Sequence, residues 1–270
     1  MNASDFAQAI KNRKTVFGTC ITMTSPHMVK FIDDLGTDFL FIDTEHIPQD
    51  REMLSWMCHA FIGKGQTPLV RIPSPDIYET SKVLDGGAMA VLIPYVETVE
   101  QVMMIGATIK YRPLKGDKLQ KLVHGNIILS RAEQQYLDEF NKDRLFFINI
   151  ESTEGIKNLD AMLNLNLVDA VIIGPHDLSV SLGIAEDYTN QKFEDAVQEI
   201  IAICVRHGVS VGNHFSVNRD SQLAWAKCGM NIILNSSDMG AFVSQIKDDM
   251  NYLRNVISNR KYQKNSAIII

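Results

Sequence analysis

Cysteine is scarce and unpatterned in this chain of 270 residues. Cys20, Cys58, Cys204 and Cys228 stand far apart, with no CxxC and no histidine at metal-ligand spacing. Neither a zinc site nor a disulfide framework is expected, and the four read as small core residues in a reducing compartment. Positive charge is short as well: 26 Lys and Arg face 32 Asp and Glu, a formal net charge of -6. Nucleic-acid surfaces need concentrated positive charge, and the one basic stretch, Arg112 to Lys121, is too short to supply it. No apolar run reaches the roughly 18 residues of a membrane span. The stretch Met1 to Lys14 breaks its apolar residues with Asp5, Lys11, Arg13 and Lys14, where a signal peptide keeps an unbroken apolar centre. A cytoplasmic protein with no nucleic-acid or membrane partner is expected. Neither GxGxxG nor GxxxxGK[ST] follows the first apolar run, which speaks against a nucleotide-binding sheet.

What is present is abundant core material, 46% hydrophobic against 21% charged residues, arranged in a regular alternation. Eight short β-rich runs are expected as strands: Val16–Met23, Phe39–Asp43, Thr67–Pro73, Ala90–Val96, Leu145–Ser152, Asp169–Pro175, Ser210–Phe215 and Asn231–Asn235. Between them, helical periodicity marks Met28–Leu35, Met53–Ile62, Ile77–Leu84, Val99–Ile109, Ile156–Leu165, Phe193–Arg206 and Ser221–Lys227. Gly36, Gly86, Gly208 and Gly229 read as left-handed stops after helices. Eight βα units within one domain predict a (β/α)8 TIM barrel of α/β class, since the polar residues fall at the carboxyl ends of many strands instead of at one switch point. Two segments break the rhythm. A long insertion, 112–144, carries Arg112, Lys115, Lys118 and Lys121 and a helix at Ala132–Phe140. A carboxyl-terminal helical extension, Phe242–Ile257, leads into the tail 258–270, which ends Ala267-Ile268-Ile269-Ile270 and reads either as frayed or as packing on a neighbouring subunit.

Two acids close successive strands. Glu151 follows Leu145-Phe146-Phe147-Ile148-Asn149-Ile150, and Asp177 follows Val171-Ile172-Ile173-Gly174-Pro175-His176. Parallel neighbours lie about 4.8 Å apart, so two carboxylates at equal height can share a hard divalent cation, Mg2+ or Mn2+, that keeps water or substrate oxygens. The bland alternative is that both acids cap the helices that follow, and spacing alone leaves the two readings balanced. Asp43-Thr44-Glu45-His46 ends the second strand, with His46 suited to moving protons near neutral pH or simply lying in a solvated loop. Arg71 ends the third strand. It points at the same mouth, where it binds a carboxylate or stabilises an enolate, or else pairs with Glu45 or Asp43. His214, ending the seventh strand, reads as a core-edge histidine or a pocket residue.

The ordered set Phe17-Gly18-Thr19, Asp43-Thr44-Glu45-His46, Val70-Arg71, Asp85-Gly86-Gly87-Ala88, Asn149-Ile150-Glu151-Ser152 and Gly174-Pro175-His176-Asp177-Leu178-Ser179 resembles the HpcH/HpaI aldolase family. These are class II, metal-dependent pyruvate aldolases of the 4-hydroxy-2-oxoheptanedioate aldolase kind. The resemblance spans roughly Val16 to Asp238. It implies that Glu151 and Asp177 bind Mg2+ or Mn2+, with Co2+ a third candidate. It also implies that Asn149, Gly174, Pro175 and the amides around His176 and Asp177 line the site for the 2-oxo acid's carboxylate. By the same resemblance Arg71 stands beside the ketone oxygen and His46 moves protons with Asp43 nearby. Asp85 then pairs with that histidine across a subunit boundary, in a homo-oligomer, a hexamer by family habit. This last role agrees with Asp85 lying at the far end of a helix, out of reach of its own barrel mouth. The family's RYPPxGxRG loop, which lies over the active site, is altered here to Lys110-Tyr111-Arg112-Pro113-Leu114-Lys115-Gly116, and Asn149 stands where glutamine is frequent.

The chemistry implied is removal of a proton from the methyl group of pyruvate, with the enolate adding to an aldehyde, or cleavage of a 4-hydroxy-2-oxo acid in reverse. A metal on the 2-oxo oxygen makes a lysine Schiff base unnecessary. A second reading keeps the enolate but changes its partner, as in a Claisen-type condensing enzyme or acyl-CoA lyase, with the basic Arg112–Lys121 stretch welcoming oxaloacetate or CoA. A third is a barrel that binds a small acid without turning it over.

Overall fold

The computed structural model describes residues 1–214 and 218–258. Eight parallel strands close into one barrel in sequential order: β1 (Val16–Cys20), β2 (Phe39–Asp43), β3 (Thr67–Arg71), β4 (Ala90–Ile93), β5 (Leu145–Ile150), β6 (Ala170–Ile173), β7 (Ser210–Asn213) and β8 (Ile232–Ser237). All eight expected strands form, β2 at its expected bounds and the others shorter than or shifted by a few residues from theirs; Phe215 lies outside the described residues. Strands pair in parallel all round the ring, with Asp43 beside Arg71 and Ile233 beside Phe17, and the register shifts once between Gly18 and Cys20 where β1 meets β8.

The helices are α1 (Ala3–Lys11), α2 (Arg51–Gly63), α3 (Ile77–Asp85), α4 (Val99–Lys110), α5 (Gly116–Val123), α6 (Arg131–Asn141), α7 (Thr153–Leu163), α8 (Pro175–Ser181), α9 (Gln191–His207), α10 (Arg219–Lys227) and α11 (Asp238–Ser258). Two of the strand crossovers are stopped by caps visible in sequence: Gly36 and Gly208 adopt left-handed conformations, as does Gly229 beyond α10. After α3 the left-handed residue is Gly87, while Gly86 stays right-handed. The helix expected over Met28–Leu35 is instead two 3-10 turns, Met28–Lys30 and Ile32–Leu35. Only Ile32 of that stretch is fully buried, too little apolar surface to hold a full α-helix against the sheet.

Two apolar layers result. Inside the barrel lie Val16, Phe39, Phe41, Leu69, Leu92, Phe147 and Ile172; between strands and helices lies a larger cluster drawn from α2, α3, α4, α7 and α9. The amino-terminal helix α1 was not anticipated. It seals the barrel floor: the Phe6 ring packs 5.2 Å from Phe39 and 6.4 Å from Phe147. Ser210 Oγ donates to Ile10 O at 2.8 Å, and Arg13 donates to Gly229 O at 2.7 Å and to Val209 O.

The insertion folds as α5 and α6, held together by Lys118 and Glu133 at 2.6 Å. It joins the carboxyl end of α4 to the amino end of β5, so it occupies the rim opposite its own barrel's mouth. A loop over the active site, which the resemblance implied, is not what the chain builds over its own mouth, because a helix running antiparallel to the strands ends at their amino side. Three of its basic groups are already matched by acids: Arg112 with Asp85, Lys118 with Glu133 and Lys121 with Asp117. The tail beyond residue 258 lies outside the described residues. Among those described, no helix is long and apolar enough to cross a membrane.

Candidate active site

The carboxyl ends of β2, β3, β5 and β6 bring Asp43, Glu45, Arg71, Glu151 and Asp177 to one mouth. Arg71 and Asp43 sit side by side in the sheet register, both almost wholly buried. Arg71 Nε donates to Asp43 Oδ1 at 2.9 Å and Nη2 to Oδ2 at 2.7 Å, a two-pronged pair, while Nη1 lies 2.9 Å from Glu45 Oε2. Of the roles open to Arg71 in sequence, pairing with both acids is what the structure contains. Its fork is held rigid and its charge remains at the mouth. Burial works against the charged Asp43, but the hydrogen bonds and charge of Arg71 outweigh it and hold the carboxyl below its ordinary range. Arg71 is itself destabilised by burial, yet Asp43 and Glu45 keep it firmly protonated.

Glu151 resolves the choice between metal ligand and helix cap, as far as the cap is concerned. Its oxygens turn away from the helix that follows: Oε1 accepts from the Tyr95 backbone N–H at 2.7 Å and Oε2 from Asn149 Nδ2 at 3.0 Å. The cap of α7 is Ser152, which accepts from Gly155 N at 3.0 Å. Asp177 sits in the first turn of α8 without making a side-chain cap. Burial raises the Glu151 carboxyl above its ordinary range, opposed by the two hydrogen bonds and by Arg71 and reinforced by Asp177. Tyr95 reaches Glu151 from a left-handed backbone, φ 48°, a conformation that a non-glycine residue holds at some cost. Gly174 completes the seat. A Cβ there would stand 2.0 Å from Glu151 Oε2, so only glycine leaves room for the carboxylate.

Glu45, an unassigned member of the Asp43–His46 run in sequence, turns out to be central. Its carboxyl is pushed up to about 7, first by burial and then by Glu151, Asp43 and Asp177, against the pull of Arg71. No sequence signal separates it from a solvated loop acid; only its neighbours do. His46 stands at the exposed edge, Nε2 3.8 Å from Glu45 Oε2. His176 is also exposed, facing Glu186 at 3.4 Å, while Gly174 and Pro175 are buried beneath it. First-turn helix N–H groups have no intrahelical partner, so the amides of His176 and Asp177 are free of α8's own ladder. His214 lies under the mouth, edge-on to Phe41 at 5.2 Å, and burial aided by Arg71 pushes it down to about 3, a neutral ring. Asp85 is elsewhere, at the opposite rim, paired with Arg112.

Among the described residues no three or more His, Cys, Asp or Glu form a ready metal cage. The mouth nevertheless suits a hard cation that takes two carboxylates and leaves its other positions to water or substrate. Three carboxylates, Asp43, Glu45 and Glu151, act on one guanidinium, with Asp177 beside the last two; burial raises Glu45 and Glu151, and the space beside Glu151 is kept open by Gly174. Asn149 Oδ1 is buried there with no hydrogen-bond partner among the described residues.

Comparison with known proteins bears on the family and the fold. A family model described as HpcH/HpaI aldolase/citrate lyase matches residues 17–244. A 5-keto-4-deoxy-D-glucarate aldolase from Salmonella paratyphi C is 29% identical over 244 residues, covering 88% of this chain and 91% of that protein. Among solved structures, an HpcH/HpaI aldolase/citrate lyase family protein from Burkholderia cenocepacia superposes with a TM-score of 0.79 at 21% identity, covering 93% of this chain and 99% of the other. The citrate synthase SbnG superposes with a TM-score of 0.78 at 24% identity, over 93% and 97% of the two chains. At those identities the two structures share the fold.

Proposed function

The chain belongs to the HpcH/HpaI aldolase/citrate lyase family, and we propose from that premise that it is a divalent-metal-dependent aldolase that cleaves or forms 4-hydroxy-2-oxo acids through a pyruvate enolate. The observation that carries this reading is the arrangement of Glu151: buried, oriented by Tyr95 N–H and Asn149, given room by Gly174, and facing Asp177 and Arg71. Glu151 and Asp177 would hold Mg2+, Mn2+ or Co2+, which supplies Lewis acidity at a 2-oxo oxygen. The relatives named 5-keto-4-deoxy-D-glucarate aldolase support the reaction class.

The chain's own groups would then divide the work. The amides of His176 and Asp177, over buried Gly174 and Pro175, receive the carboxylate of pyruvate or oxaloacetate. Arg71, immobilised by Asp43 and Glu45, keeps a fixed positive charge where the enolate oxygen develops, without reorganising as it forms. Asp43 orients Arg71 and does not touch substrate. His46 and Glu45 move the proton; a carboxyl near 7 accepts and returns protons effectively at neutral pH. Asp85, at the far rim, acts only by entering a neighbouring subunit's mouth in a homo-oligomer, and there it must exchange Arg112 for His46.

Exchange of pyruvate methyl protons with deuterated water tests the enolate. It should require Mg2+ or Mn2+ and disappear in E151Q and in D177N. Exchange that persists in both variants and under chelation removes the metal from the reaction. Pyruvate release from 4-hydroxy-2-oxo acids, set against thiol release from acyl-CoA esters, separates the aldolase from a Claisen enzyme. Tight pyruvate binding with neither exchange nor turnover would instead identify a small-acid sensor.

A further inference from the structure

The insertion between β4 and β5 carries seven Lys or Arg side chains, from Arg112 to Arg144. Four of them meet an acid: Arg112 with Asp85, Lys118 with Glu133, Lys121 with Asp117 and Lys142 with Glu139. Lys115 and Arg131 are exposed, where water satisfies a charge. Arg144 differs from all of these. It is drawn partly into the protein, its guanidinium 5.0 Å over the Phe140 ring, and it makes no ion pair among the described residues. Its Nη1 is buried with no acceptor among those residues. Withdrawing a cation from water is costly unless an anion meets it, and the planar guanidinium is best met by carboxylate or phosphate oxygens.

Arg112 stands nearby in a similar state. Its side chain is 14% exposed, and although Asp85 takes Nη2, Nη1 is again buried without an acceptor among the described residues. One residue ties the two arginines together. Asn141, itself buried, donates from Nδ2 to Arg112 O at 2.8 Å and accepts at its backbone oxygen from Arg144 N at 3.0 Å. Nearby carbonyl oxygens are engaged elsewhere: Leu137 O accepts from Asn141 Nδ2, and Arg144 O from Lys110 Nζ. The charges are left out of balance. Burial lowers Arg144, Arg112 lowers it further, and only Asp85 acts the other way. That carboxylate is 63% exposed, so water weakens the one counter-charge two guanidinium groups share.

We propose that Arg112 and Arg144 form a binding site for a small dianionic oxyanion, a phosphate group or a dicarboxylate, at the amino-terminal rim of the barrel between α3, α4 and α6. The fork of each guanidinium matches either kind of oxygen pair, and two cations select a doubly charged ion over a singly charged one. Entry is from the side of Asp85 and Phe140, both exposed. Asn141 is a positioning residue, since it holds the backbone of both arginines and leaves their side chains to the ion. The site lies at the end of the barrel opposite Glu151 and Asp177. It rests on the packing of the insertion and does not depend on the reaction proposed above.

Thermal melts and calorimetric titration of the full chain test the site. At fixed ionic strength, inorganic phosphate or malonate should raise the melting temperature and saturate, while acetate and chloride should not. Phosphate active and malonate silent identifies a phosphate group as the ligand; the reverse identifies a dicarboxylate. R144M keeps an aliphatic contact with Phe140 and removes the charge, and should weaken the active ion about tenfold or more. Without the ion the order turns round: R144M should melt no lower than the wild type, because it removes an unmatched cation, and it should gain nothing when the ion is added. R112K keeps the charge but loses the fork, so it should also weaken binding, and it covers the case in which R144M does not fold. Equal stabilisation by acetate, or R144M and R112K that bind the ion as the wild type does, would overturn the site. A wild-type chain that answers to neither ion would overturn it as well; a lower oligomeric mass of R144M in that case would assign the gap to a carboxylate of a second copy.

Discussion

Replacing Gly174 with alanine tests the seat of Glu151 with a single methyl group. The backbone there has φ -92° and ψ 97°, which alanine adopts without strain, so the effect comes from the Cβ alone. That atom would lie 2.0 Å from Glu151 Oε2 and 2.9 Å from its carboxyl carbon, where real contacts stay above 3.0 Å. The carboxylate must therefore retreat by about 1 Å. It cannot do so and keep both the 2.7 Å bond from Tyr95 N and the 3.0 Å bond from Asn149. Loss of one hydrogen bond to a charged group costs about 1.5–3 kcal/mol; at roughly 1.4 kcal/mol per tenfold, Mn2+ affinity should fall about 10- to 100-fold. Titration of Mn2+ followed by the paramagnetic resonance of the free ion reads this directly, with a metal-free thermal melt as the control for folding. G174A that folds and binds Mn2+ as the wild type does, beside an E151Q that does not, would refute the seat. Wild-type binding by both would remove Glu151 from the metal site.

R71A leaves Asp43 buried with no counter-charge, and stripping one partner from a buried pair costs about 3–5 kcal/mol; urea unfolding should register that loss, and a change below about 1 kcal/mol would mean Asp43 finds another partner. Glu45 gives the metal-free protein a pH dependence. Its folded-state value of about 7 lies above the ordinary 4.5, so the folded state binds the extra proton. Its contribution is fully present below about 4.5 and is lost as pH rises through about 7. Metal-free melts should fall across that interval, and E45Q should flatten the fall; an unchanged slope would assign it to other groups. At pH 7, loading Mn2+ should release protons, read as a dependence of binding heat on the buffer's ionisation enthalpy, and E45Q should reduce the release.

The barrel was legible because each strand is a buried apolar run bounded by polar residues, and all eight were placed. The acids at strand ends were legible for the same reason: Glu151 and Asp177 interrupt such runs. What escaped depends on neighbours distant in sequence. α1 is a nine-residue amphipathic segment whose purpose appears only once Phe39 and Phe147 have closed a floor for Phe6. α8 is too short to leave a period, though Gly174-Pro175 marks its start. The Tyr95 amide and the elevated Glu45 carry no side-chain signature at all, since one is a backbone conformation and the other a consequence of burial and of Glu151 and Asp177, brought from two other strands to join Asp43. Asp85 was rightly kept away from its own mouth, but its partner Arg112 opens an insertion that sequence alone did not fold back onto α3.

The contacts of α1 also order events in time. Arg13 and Ile10 are anchored by Val209, Ser210 and Gly229, some two hundred residues downstream. α1 is thus made some two hundred residues before its seat, and the barrel's floor stays open until the segments around Ser210 and Gly229 have followed. Such long-range closure slows folding and exposes Phe6 meanwhile. A bulky fusion at the amino terminus should accordingly delay refolding far more than it alters final stability.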